Sequence, residues 1–191
     1  MSCDITSGRI EQCKDSVSGL KAIYFINYDD VDSDTTYVTY NTTDTDVIDS
    51  WEPLAALTMY KYELKSTANS FTTTINSSRD NGTTFFEQTL VANLKRQDFA
   101  THKNVKLLAY GRPRIIVRTM TDQFFVMGLD QGADVSAGEI SSGAALGDFN
   151  GYSLTFTAQE ELPANFLNVN NEADLKLAFA YSGTDAVIET T

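Results

Sequence analysis

The nine residues "LKAIYFINY", positions 20–28, decide the fold. The run is continuously apolar and aromatic through Ile23, Tyr24, Phe25 and Ile26, too short for a helix and rich in strand formers. It reads as a buried strand. Downstream, "TTYVTY" (35–40) alternates apolar residues with threonines and is expected to pair with it across the turn "NYDDVDSD". "MYKYELK" (59–65), "SFTTTINS" (70–77) and "TTFFEQTLVANLKR" (83–96) are three more strand runs, the last two joined by the turn pair Asn81-Gly82. Phe86, Leu90, Ala92 and Leu94 fall on one face of the last. The three are expected to form a meander.

One helix is signalled. Asp98 is placed to cap "FATHKNVKLLAY", in which Phe99, Val105, Leu108 and Ala109 lie near one face, and Gly111 with Pro113 ends it. Beyond it, "RIIVRTMTDQFFVMGLD" reads as a hairpin of residues 114–118 against 124–129 around "MTDQ". "ADVSAGEI" and "GYSLTFTAQE" supply two further strands, the second alternating Tyr152, Leu154 and Phe156. The expected fold is therefore mainly β: two packed antiparallel sheets, as a sandwich or barrel, with one external α-helix near residues 98–110. The expected organisation is an N-terminal arm (1–19), a single domain (20–162) with a long loop at 41–58, and a C-terminal arm or extension (163–191).

The formal net charge is −12 and is unevenly placed: residues 1–78 sum to −7, residues 79–118 to +5 and residues 119–191 to −10. Such an acidic chain does not grip nucleic acid or an anionic membrane by neutralising phosphates. The basic segment, with Arg112, Arg114 and Arg118, suits an acidic neighbour better than a nucleic acid. No run approaches the eighteen apolar residues of a membrane span, and the N-terminus lacks the charged start and apolar stretch of a signal peptide, so a soluble, unexported protein is expected. Cys3 and Cys13, the only cysteines, are too few for a zinc site and read as two thiols or one short local disulfide.

Enzymatic readings find little support. The single histidine, His102, sits within the expected helix as a packing residue. Asp30, Asp32 and Asp34 have the spacing of a calcium loop, but Thr35 and Asn41 replace its glycine and glutamate, leaving a polar turn. In "GADVSAGEISSGAALGDFNGYSLTF", Gly138 and Gly143 have the first spacing of a phosphate loop, yet Ala144 and Ala145 stand where Lys and Ser/Thr are needed and a strand follows. No catalytic residue, cofactor or metal is expected.

The order of elements, with "RDNGTTFFEQTL", "LLAYGRP" and "GDFNGYSLTFTAQEELPANFL" between residues 79 and 167, resembles tail tube proteins of tailed bacteriophages. "CDITSGRIEQCKDSVSGLKAIYF" resembles the start of virion proteins of gut phages. The resemblance implies a structural subunit located in the virion tail and assembled in the host cytoplasm. It implies hexameric rings that stack into a hollow tube, contacting other tail or connector proteins, through which genomic DNA passes without specific binding. Trp51, Arg112, Arg114 and Arg118 are the expected subunit contacts. The alternatives are a head-to-tail ring, adaptor or capsid accessory protein, and a carbohydrate-binding β-sandwich in which exposed tyrosines and phenylalanines stack on sugars.

Overall fold

The computed structural model describes residues 7–11, 14, 16–65 and 68–190; Cys3 and Cys13, and any bond between them, lie outside the described residues. The opening run forms β1 (Leu20–Ile26), which is buried almost throughout. Its side chains divide between two cores. Ala22, Tyr24 and Ile26 enter one core, and Ile23 and Phe25 the other. A strand covered on both faces has no solvent side on which to place polar residues, which is why the run is continuous instead of alternating.

The same holds for β7 (Arg114–Thr119), antiparallel to β1 with Ile23 opposite Val117 and Tyr24 opposite Ile116. These two strands lie within a sheet that also contains β2 (Val38–Tyr40), β3 (Val47–Trp51), β4 (Thr58–Glu63), β8 (Phe124–Met127), β11 (Asn165–Leu167) and β12 (Val187–Glu189). Its spatial order is β12-β4-β1-β7-β8-β11-β3-β2. The second sheet, β5-β6-β10-β9, comprises β5 (Ser70–Ser78), β6 (Thr83–Lys95), β10 (Gly151–Glu160) and β9 (Asp134–Ser141). Between the sheets, Phe25, Ile115 and Val117 meet Leu90, Tyr152, Leu154 and Phe156. A buried polar tie joins them too, the Gly128 N–H donating to Gln88 Oε1 at 3.0 Å. The fold is a mainly β sandwich of two sheets.

Helix α1 (Phe99–Tyr110) lies where its signals put it. Asp98 Oδ1 accepts from the Thr101 N–H at 2.8 Å, and the Gly111 N–H closes the last turn on Leu107 O. Its buried contact is narrow, however: Val105 is buried and Leu108 half-buried, whereas Phe99 is 98% exposed. The glycine-rich stretch is the β9–β10 hairpin. Gly143 holds a left-handed conformation (φ 69°), and a Cβ at Gly151 would run into the Leu94 carbonyl of the neighbouring strand. A strand–turn–strand unit supplies no helix start for a phosphate.

Several pairings differ from expectation. β2 pairs with β3, not β1, and β4 lies beside β1 in the other sheet, so the expected three-strand meander is only the β5–β6 hairpin. The expected loop 41–58 contains β3. The segment 163–191 is expected as an arm or extension, but its described residues, 163–190, are built into the domain: β11 lies between β8 and β3, and β12 borders β4. Between these two strands, helix α2 (Glu172–Ala178) is capped by Asn171 and buries Leu175, with Phe179 buried just beyond it. β11–β3 and β12–β4 are parallel, so the larger sheet is mixed. Strands so distant in sequence are not constrained by a hairpin, and three-residue segments carry too little periodicity to read.

Phe179 packs on Trp51 with ring centroids 5.6 Å apart and neither ring exposed. Phe179→Ala should therefore cost about 3–5 kcal/mol in urea unfolding, whereas truncating a residue of a solvent-exposed arm would shift stability by under about 0.5 kcal/mol.

Candidate assembly surface

The four-stranded sheet has one face in the core and one toward solvent. On β10, Leu154, Phe156 and Ala158 are buried, while Ser153, Thr155 and Thr157 lie opposite Asn93, Val91 and Thr89 of β6 on the outer face. Ser70 and Thr72 continue these rows on β5, and Ala137 and Asp134 continue them on β9. The outer face is thus a hydroxyl-rich surface whose carboxylates are Glu87, Asp134 and Glu139. The only cation of the four strands is Lys95, the last residue of β6, where its ammonium reaches the Lys65 carbonyl at 3.4 Å.

Both borders of this sheet are open: among the described residues no strand lies beside β5 or β9. Edge strands of monomeric proteins are commonly short, charged or interrupted by proline, which blocks pairing with another chain. β5, "SFTTTINSS", is nine residues long with neither charge nor proline. The far end of the β5–β6 hairpin, residues 76–78 against 83–85, extends past the end of β10 and exposes Phe85. Every neighbouring pair in this sheet is antiparallel, so β5 and β9 run in opposite directions. A β9 edge meeting the β5 edge of another copy would continue the alternation without a break.

Of the four residues expected as subunit contacts, Arg114 lies over the Trp51 ring at 5.5 Å and shares the Tyr28 ring with Arg112, whereas Arg118 lies over the Phe124 ring. Trp51 is wholly buried, its indole N–H donating to Asp32 O at 2.7 Å. Arg114 is 2% exposed and donates to three backbone carbonyls: Tyr28 O and Val31 O at 2.6 Å and Leu129 O at 2.8 Å. Burial pushes its guanidinium pKa down, with Tyr28, Asp32, Asp130 and Glu160 acting in the opposite sense. Arg118 is held by Asp122 at 2.7 Å and Glu172 at 3.0 Å. These three side chains organise the interior and have little surface to offer a neighbour. Arg112 is exposed, stacked over the Tyr28 ring at 4.6 Å, and keeps the expected role open. His102 is exposed beside Tyr152, not packed inside.

Glu172 is the hub of a charged network. It accepts from Lys61 at 2.8 Å, Arg118 at 3.0 Å and the Tyr24 hydroxyl at 2.9 Å. Partial burial pushes its carboxyl up, but Lys61, Tyr24 and Arg118 together outweigh that and hold it below the usual range. Lys21 and Arg118 likewise hold Asp122 low. Tyr24 is pushed up, first by burial and then by Glu172. Glu160, buried at the end of β10, accepts from the Asp130 and Gln131 N–H groups, and burial holds its carboxyl above the usual range.

A separate cleft of about 400 Å³ lies beside α1, lined by Phe25, Tyr28, Tyr60, Tyr62, Asn104 and Arg112 among others. No family model, curated protein or solved structure matches the chain.

Two measurements check the interior roles. Arg114→Met should cost about 3 kcal/mol or more by leaving buried carbonyls without a donor, whereas Arg112→Glu, which loses only an exposed stack on Tyr28, should cost no more than about 1 kcal/mol. The Glu172 carboxyl titrates lower folded than unfolded, so its stabilisation is complete above the unfolded value of about 4.3 and is lost as pH falls through the lower folded value. Glu160 has the opposite sign, its share being lost as pH rises from the unfolded toward the raised folded value. Glu172→Gln should therefore lower stability at neutral pH and flatten its acid-side decline between about pH 5 and pH 3.

Proposed function

We propose that the chain is a structural virion protein of a tailed bacteriophage, a tail tube subunit forming rings that stack into a hollow conduit for DNA. The observation that carries this reading is the four-stranded sheet with two open, oppositely directed edges. Joining β9 of one copy to β5 of the next is a head-to-tail contact, and such contacts close into rings when the rotation per subunit allows it. The result is a continuous antiparallel wall of four strands per subunit. A closed wall leaves no edge exposed.

The outer face fits the inside of that wall. Glu87, Asp134 and Glu139 repel a polyanion, and serine and threonine hydroxyls keep the surface hydrated. DNA binding draws much of its affinity from counterions released by lysine and arginine, which this face lacks apart from Lys95 at its end. The duplex would pass without being held. The work is mechanical, with no catalytic step, and a connector ring or adaptor in the same virion would use the same edges. The tyrosine-lined cleft beside α1 favours a second reading, a carbohydrate-binding module, because ring faces and amide side chains suit sugar recognition.

Electron microscopy of the purified protein should show rings or tubes, and a lasting monomer that binds glycans would overturn the tube reading. In a background with Cys3 and Cys13 replaced, Thr72→Cys with Ala137→Cys should give a ladder of covalent oligomers under a short bismaleimide. Each single-cysteine chain should give dimers at most. Absence of the ladder from oligomers visible by microscopy would remove edge pairing as their basis.

A further inference from the structure

Two oppositely charged surfaces sit at the two ends of β10. Lys95 lies opposite Gly151, where the strand begins. There a cleft of about 640 Å³ is lined by Lys61, Lys95, Arg96 and Lys176, with Glu63 and Glu172 as its carboxylates, leaving it two charges positive in a chain of net −12. Lys61 is committed to Glu172, but no ion pair among the described residues holds Arg96 or Lys176. Arg96 also occupies the left-handed region (φ 66°), where a residue with a Cβ is uncommon, held by its N–H on Asn150 O at 2.7 Å. That conformation is retained at some cost, and strain of this kind gathers at functional sites.

At the other end of the strand, Glu160 accepts from the Asp130 and Gln131 amides, and Asp130 accepts from Ser33 of the turn after β1. That turn exposes Asp29, Asp32 and Asp34 beside Asp130. It is firmly held, by Trp51 on Asp32 O and by Arg114 on Tyr28 O and Val31 O. A prominence already fixed in shape loses little conformational freedom on docking. β10 has ten residues, and at about 3.3 Å per residue its ends are roughly 30 Å apart. That exceeds three Debye lengths of about 8 Å in physiological salt. Across that length Lys95 and Glu160 of one chain do not neutralise each other, while Asp29 lies five positions beyond Tyr24, the residue opposite Lys61 of the cleft.

We propose that the cation cleft receives the acidic turn of a second copy, so that rings stack in a single polarity. The inference rests on the ring reading, because a wall of paired strands puts the two ends of β10 on opposite rims. The contact is again head-to-tail, but along the strands where edge pairing runs across them. Open-ended repetition of such a contact gives a filament, which a tube requires.

The experiment compares four chains: wild type, Asp29→Lys/Asp32→Lys, Lys95→Glu/Arg96→Glu, and the quadruple variant. Thermal melts confirm that each is folded, and sedimentation with electron microscopy at about 50 mM and about 500 mM salt reads stacking. Wild-type stacks should dissociate at the higher salt. Each double variant should reduce the stacked fraction at least ~10-fold while leaving single rings, and the quadruple variant, with both charges exchanged, should restore it. Stacking that is equal in all four chains overturns this inference and leaves the ring reading standing. Failure of the quadruple variant to recover shows that these two surfaces do not meet, and also overturns it. Salt-sensitive head-to-tail chains without rings, weakened in each double variant and restored in the quadruple, overturn the ring reading and support the charge contact. A wild type that stays monomeric at both salts overturns both.

Discussion

The rest of the structure depends on the burial of β1 and β7 from both sides. Tyr24 and Ile116 face one core, while Phe25, Ile115 and Val117 face the other. Each core needs its own cover. The four-stranded sheet covers one, and α2 with its flanking residues covers the other, so the terminal segment is as much part of the interior as the strands it covers. Once both faces of the larger sheet are occupied, the smaller sheet keeps one free face and two free edges. Its exposure follows from the layer order.

Charge is arranged on the same frame. Arg114 and Arg118 lie on the Ile116 side of β7, one under the turn after β1 and the other joined to α2 through Glu172. Their donors are consumed by backbone carbonyls and internal carboxylates, which fixes the loops around them. Lys95, Arg96 and Lys176 lie in the cleft at the end of β6, and Asp29, Asp32 and Asp34 are exposed on the turn after β1, where Arg112 also lies over Tyr28.

The fold class was legible because its strongest signals are local. Continuous burial of residues 20–26, the Asn81-Gly82 turn, the Asp98 cap and the alternation of Tyr152, Leu154 and Phe156 each depend on neighbours within a few positions. Strand order was not legible in the same way. β2 and β4 carry readable patterns, but their partners are chosen by packing across the whole domain. β11 and β12, at three residues each, have too little pattern to register at all. For the candidate site, the alternation of Tyr152, Leu154 and Phe156 is local, whereas the composition of the outer face across four strands and the open edges are properties of topology. Trp51 and Arg114 lie inside and Arg118 lies largely inside although large or charged residues in a loop-like or basic stretch suggest surface, because the sequence does not display the backbone carbonyls that hold Arg114 or the carboxylates that hold Arg118.

The position of β11 has a consequence for the order of events during synthesis. The strands of the sheet that bears the two open edges are all translated by residue 160, just before β11, which joins β8 to β3, and well before β12. A nascent or prematurely terminated chain therefore possesses adhesive borders before the larger sheet can be completed. Domains generally fold as units, and unpaired strand edges make incomplete ones aggregation-prone. The abundance of carboxylates then acts as a colloidal safeguard, keeping unfinished chains apart until their last strands arrive.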